Sequence, residues 1–206
     1  MIDIRSLALA TVLVIGASAP VHALSGARAT ADDKGLVTIF DNFAHKYPKA
    51  LYLDLTSVEI RGGGGGALQS WSAAPFTPAA DHVVTKIEVP VSIYTGKNGL
   101  VLSLNSDADG VPGDALKSWN LKDLPPQGSC CVVETAKDAQ GIAIKAGKQY
   151  WIVLSTNSKE GSTWADWLEE SEDQVDSESM ANYDNVYGWQ PSTITPSLAF
   201  AVLGSK

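Results

Sequence analysis

From residue 83 to residue 93 the chain alternates. Val83, Thr85, Ile87, Val89, Val91 and Ile93 fall on one phase, and Lys86, Glu88, Pro90 and Ser92 on the other. A repeat of two puts one set of side chains on a buried face and the other in solvent, so this stretch predicts a β-strand. Pro90 has no N–H for a ladder, which predicts an edge strand or a proline nitrogen turned away from its neighbour. Leu100, Leu102 and Leu104 repeat the pattern against Val101 and Ser103. The linker Thr95-Gly96-Lys97-Asn98-Gly99 between the two runs has hairpin chemistry. Residues 149–155 (QYWIVLS) are apolar on both phases, as expected of a central strand covered on both sides. Residues 115–121, 130–134 and 198–203 are further strand candidates. Residues 36–40 and 67–75 carry less of the pattern, and 51–60 loses its phase at Ser57.

Beyond the first segment, no run holds a helical period for more than about three turns. Turn chemistry recurs at Gly110-Val111-Pro112-Gly113, Pro125-Pro126-Gln127-Gly128 and Ala146-Gly147-Lys148. Many short strands between Gly/Pro turns predict an all-β fold: a two-layer antiparallel β-sandwich, jelly-roll-like, over residues 36–204, after a flexible stretch at 24–35. Two segments stand apart. Gly62 to Gly66 is a run of glycines with no Lys-Ser/Thr behind it, which argues against a phosphate loop. Residues 169–178 (EESEDQVDSE) read as a solvated acidic loop.

Residues 1–23 follow another logic. Arg5 precedes an apolar stretch from Leu7 to Ala17, shorter than the ~20 residues of a membrane-spanning helix. Val21-His22-Ala23 then places small residues where a signal peptidase reads them, with a second such triplet at Ala27-Arg28-Ala29. The expectation is a signal peptide cleaved near Ala23, a secreted, periplasmic or extracellular protein, and no membrane span in the mature chain.

Composition narrows the function. The chain has 206 residues, 45% hydrophobic and 18% charged, which is ordinary globular usage. Its formal charge of −8 disfavours nucleic acid and anionic lipid as partners. The 2 cysteines are too few for a disulfide-dense scaffold or a four-cysteine zinc site. They are adjacent, Cys130-Cys131. A bridge between neighbours must distort the peptide, because adjacent Cα atoms lie ~3.8 Å apart and ordinary disulfides need roughly 4.4–6.8 Å. A vicinal disulfide and two free thiols both remain open.

Asn105-Ser106-Asp107-Ala108-Asp109-Gly110 matches the first half of a calcium loop, with Asn105, Asp107 and Asp109 as ligands. The bidentate glutamate is missing, since Leu116 stands at the twelfth position, and a polar turn is the competing reading. No other cofactor is expected. Aromatic residues offer a binding surface: Trp164, Asp166, Trp167, Tyr183, Tyr187 and Trp189 combine rings that stack on sugars with polar groups for hydroxyls. The competing reading is that these rings cap the ends of the sandwich. Trp151, in the most apolar strand, is assigned to the core. For catalysis, Gly-x-Ser-x-Gly is absent and His45 and His82 stand singly. Asp166, Glu169 and Glu170 near Trp164 are the first carboxylates to consider for glycoside chemistry.

A longer order of motifs carries a resemblance. It runs from Leu102-Ser-Leu-Asn-Ser-Asp-Ala-Asp-Gly-Val-Pro-Gly113 through Ser118-Trp119, Leu124-Pro-Pro-Gln-Gly-Ser-Cys-Cys131 and Ala146-Gly-Lys-Gln-Tyr-Trp-Ile-Val-Leu-Ser155. It continues through Trp164 and Trp167 to Ala199-Phe-Ala-Val-Leu-Gly204, with thinner support from Phe40-Asp41-Asn42-Phe43 and Ala73-Ala74-Pro75-Phe76-Thr77-Pro78. This order resembles the bacterial choice-of-anchor R domain. The resemblance implies a secreted β-sandwich with no established activity. Relatives often end in a surface-anchoring signal, whereas this chain ends with its last strand, so free secretion or periplasmic residence is expected. The functional expectation is a non-catalytic extracellular or cell-surface module, structural or adhesive, with an extracellular glycan or envelope component as partner. The alternative is a glycoside-active jelly-roll enzyme using paired carboxylates.

Overall fold

The structure is a computed structural model that describes residues 35–43, 52, 56–63, 68–129, 133–157, 161–169, 179–183, 188–192 and 197–206. All regular elements among them are strands: β1 Val37–Asp41, β2 Ser57–Arg61, β3 Ser70–Phe76, β4 His82–Val89, β5 Val91–Thr95, β6 Leu100–Ala108, β7 Val111–Leu121, β8 Glu134–Ile144, β9 Tyr150–Ser155, β10 Trp164–Leu168, β11 Met180–Tyr183, β12 Trp189–Pro191 and β13 Ala201–Ser205. They form two antiparallel sheets. The smaller has the order β1-β13-β4-β8, and the larger β5-β10-β2-β3-β9-β6-β7, with β11 joining β3 to β12. Inward residues of both sheets meet in one core, including Val84, Ile87 and Val202 from the smaller and Ile60, Leu102, Leu104, Ile152, Leu154 and Trp167 from the larger. The β-sandwich expected from the alternation is the observed fold.

Pro90 is where the chain changes sheets. Residues 83–93, read above as one strand, are two: β4 lies in the smaller sheet and β5 at the end of the larger. The missing N–H breaks the ladder, while the Pro90 carbonyl still accepts from Leu168 N at 3.0 Å. The alternation also slips. A register shift between Val84 and Lys86 turns Val84 inward in place of Val83 and Thr85, before Ile87, Val89 and Val91 resume the buried phase. Nor does the Thr95–Gly99 linker close a hairpin: β5 pairs with β10, and β6 with β7 and β9. Turn residues reverse the chain locally, but burial against distant strands chooses the partners.

β9 is central, as its two apolar phases require. Ile152 and Leu154 face the shared core, and Trp151 and Val153 pack with Ala73 in a second cluster on the opposite face, against Val111 and Trp189. The opposite side of the smaller sheet is also covered, where Phe43 and Tyr52 pack with Ala199, Ala201 and Leu203. At the open edge, Trp119 of β7 donates Nε1–H to Lys137 O of β8 at 3.1 Å, and Lys117 Nζ meets Asp138 Oδ2 at 2.8 Å. These contacts tie the rim of one sheet to the rim of the other.

Candidate functional site

β10 places Trp164 and Asp166 on the face away from the core, and Ala165 and Trp167 within it. Trp164 and Trp167 are three residues apart, and a strand turns such a pair to opposite faces. Trp167 has no exposed surface and donates Nε1–H to Ala199 O at 2.8 Å. It is a core residue, and its place among the sugar-contacting rings is corrected.

Trp164 stands between two partners that sequence reasoning missed. Across one ladder is Arg61 of β2, whose guanidinium carbon lies 3.7 Å from the ring centroid. On the other side, where the register shifts between Ile93 and Thr95 of β5, is Tyr94, with ring centroids 4.4 Å apart and planes inclined at 47°. Tyr94 is 52% exposed, so its ring is open to solvent. Arg61 is held in turn by Glu59, with Nε 3.2 Å from Oε2. Tyr94, Trp164 and Arg61 thus form a cross-strand stack over β5, β10 and β2.

Directly beside it, Asp166 is opposite Glu59 on β2 and Ser92 on β5. Its Oδ2 accepts from Gln127 Nε2 at 2.8 Å. Burial pushes the Asp166 carboxyl above its usual range. Hydrogen bonds from Ser57 and Gln127 pull it back, and the neighbouring Glu59 charge adds to the rise. Gln127 is positioned because the Pro125-Pro126-Gln127-Gly128 turn docks on β5: Ile93 N donates to Pro125 O at 2.8 Å, and Gln127 N to Ile93 O at 2.9 Å. On the far side of the stack, β2 meets β3 at the single pair Arg61–Ser70 and then diverges. The gap is a cleft of about 370 Å³, lined by Ser57, Glu59, Arg61, Leu68, Ser70 and Ser72.

Trp189 lies on β12 and packs on the cluster of Ala73, Trp151 and Val153. It does not join Trp164 directly. Tyr183 lies on β11 opposite Ser70, and Tyr187 is outside the described residues. The polar stretch read as a loop contains the β11–β12 pair. Glu169 is buried, and burial raises its carboxyl pKa. Glu170, His45, Cys130 and Cys131 lie outside the described residues. His82 Nδ1 sits 3.3 Å from Ser205 O.

The calcium-like segment is a hairpin turn. Ala108 pairs with Val111, and Asp109 and Gly110 between them have φ of 55° and 85°, the left-handed pair of a type I′ turn. Asp107 Oδ1 accepts from Trp151 Nε1 at 2.8 Å and Gln149 Nε2 at 3.0 Å, and its Oδ2 from Gly110 N at 3.1 Å. Asn105 accepts from Ser103 and donates to Gly113 O. The oxygens proposed as ligands at positions 105 and 107 are thus spent on the fold. Among the described residues, no group of three His, Cys, Asp or Glu side chains could hold a metal ion, and no helix is long and apolar enough to cross a membrane.

No protein-family model matches this chain, and no curated protein matches it in sequence.

Proposed function

We propose that this chain is a secreted, non-catalytic β-sandwich module of the bacterial surface or its surroundings, structural or adhesive, which recognises carbohydrate through β5, β10 and β2. The observation that carries this reading is the Tyr94–Trp164–Arg61 stack beside Glu59, Asp166 and Gln127. An exposed ring gives a sugar its apolar face, and the exposed Glu59 carboxylate and Gln127 amide at the ring's edge answer its hydroxyls. The acidic chain and the leader-like residues 1–23 agree with an extracellular glycan better than with nucleic acid. The order of motifs similar to choice-of-anchor R domains agrees with the same setting.

A glycan array probed with the mature domain, followed by calorimetry on the strongest hit, tests the reading. Tyr94→Ala is expected to weaken that ligand about ten-fold, ~1.4 kcal/mol, while the melting temperature stays close to wild type. An array with no glycan retained above background rejects the reading.

One observation favours glycoside hydrolysis as a second reading. Asp166 and Glu59 are opposed carboxylates, one raised by burial and one exposed. Against it, Asp166 is engaged by Gln127 and Ser57, and Glu59 by Arg61. Turnover of aryl glycosides that disappears in both Glu59→Gln and Asp166→Asn would establish the enzyme. The binding module predicts none.

A further inference from the structure

A second pair of rings lies beyond the stack. Trp71 of β3, Asn182 of β11 and Trp189 of β12 are directly opposed across two ladders, so they share one face. That face points away from the shared core: Ala74 and Phe76 of β3 enter the core, whereas Ala73, two residues from Trp71, packs with Trp151 and Trp189 on the other side. Both rings are partly exposed. Between them Asn182 is 3% exposed, and its Oδ1 finds no donor among the described residues. A buried acceptor without a donor is costly to a fold, and a ligand hydroxyl would satisfy it only where the side chains over it part.

Thr156 joins this pair to the first stack. Its Oγ1 accepts from Trp71 Nε1 at 3.4 Å and lies 3.5 Å from Arg61 O, and the Arg61 side chain covers Trp164. Ring-bearing positions therefore run from Tyr94 and Trp164, past Arg61, to Trp71 and Trp189. The backbone positions of Trp71 and Trp189 are two strand spacings apart, roughly 10 Å, and the Trp189 ring leans back onto Ala73.

Resting on the carbohydrate reading above, we infer that the ligand is a linear, extended oligosaccharide bound at two aromatic stations. Tyr94–Trp164 forms one station, and Trp71–Asn182–Trp189 the other. A single terminal sugar would need only the first. Two stations on one chain act together, so affinity grows with ligand length until both are filled.

Calorimetry with cello-, xylo- and chito-oligosaccharides of two and six units tests this on the wild-type mature protein. In the series that binds, the six-unit ligand is expected to bind at least ten-fold more tightly than the two-unit ligand. Trp71→Ala and Trp189→Ala are expected to remove that gain, so that the six-unit and two-unit ligands bind alike. Equal affinity for both lengths in the wild type overturns the two-station surface while leaving the carbohydrate reading intact, and needs no variant to fold. Equal loss of two-unit and six-unit binding in folded Trp71→Ala also overturns it. Absence of binding to every oligosaccharide, together with an empty glycan array, removes both.

Discussion

At Asp107 three N–H groups converge on one carboxylate, from Trp151, Gln149 and Gly110. The first belongs to a tryptophan that is 1% exposed. Asp107→Ala leaves that indole N–H buried without an acceptor, and the expected loss is about 3 kcal/mol by denaturant unfolding. Adding calcium to the wild-type protein is expected to leave the melting temperature where it is, because this carboxylate is already spoken for. Asp166 behaves differently. Its carboxyl is raised by burial, so the folded protein holds the proton more tightly than the unfolded chain does. Stability is therefore lost as pH rises from the usual carboxylate value, ~3.9, through the raised folded value. Asp166→Asn has no proton to lose. Its stability relative to wild type is expected to increase across that window, measured as the urea midpoint against pH.

At the scale of the element, the smaller sheet contains a buried ion pair within one strand. Lys86 and Glu88 of β4 are 3% and 2% exposed, with Nζ and Oε1 2.7 Å apart. Their spacing of two puts them on the same face, opposite the core phase of Ile87 and Val89. Alternation alone assigns that face to solvent; Phe43 and Tyr52, packed on Ala201 and Leu203, cover it. Lys86→Met removes the ammonium 2.7 Å from the buried Glu88 carboxylate, and about 3–5 kcal/mol of stability is expected to go. The double variant Lys86→Met/Glu88→Leu should lose less than the single one, as thermal melts of both would show. Gly204 has a second strand-level constraint. A Cβ there would stand 2.0 Å from Val83 O, inside the β13–β4 ladder, so Gly204→Ala must separate the two strands.

For the whole molecule, Trp167 shows how the layers are held. It lies in the shared core, 6.4 Å from the Phe200 ring, and bonds the Ala199 carbonyl just before β13 of the opposite sheet. Trp167→Ala is expected to cost about 3–5 kcal/mol, and Trp167→Phe less, mostly through the unpaired carbonyl. Neither substitution touches the proposed carbohydrate surface, so under that proposal the folded fraction should bind sugar as the wild type does. That contrasts with Tyr94→Ala, which should lose affinity and keep stability. Comparing the two variants separates the core from the surface in one experiment.

Period-two alternation makes the layers legible in the sequence, because a strand's two faces repeat every second residue whatever the strand pairs with. It marked Leu100, Leu102 and Leu104 as inward and β9 as doubly covered. It also held, unused, the fact that Trp164 and Trp167 point oppositely. It could not supply β8, whose polar sequence (ETAKDAQGIAI) is half exposed at a rim, or the slip at Val84. The pairing of strands lay outside its reach, since hydrogen-bond partners are chosen by burial across the whole chain. Tyr94, Trp164 and Arg61 are distant in sequence, and only the order β5-β10-β2 makes them neighbours. The sequence by itself determined the sandwich, because side-chain period is a local property; the tertiary structure alone decided the surface, because which rings and carboxylates stand side by side depends on long-range register.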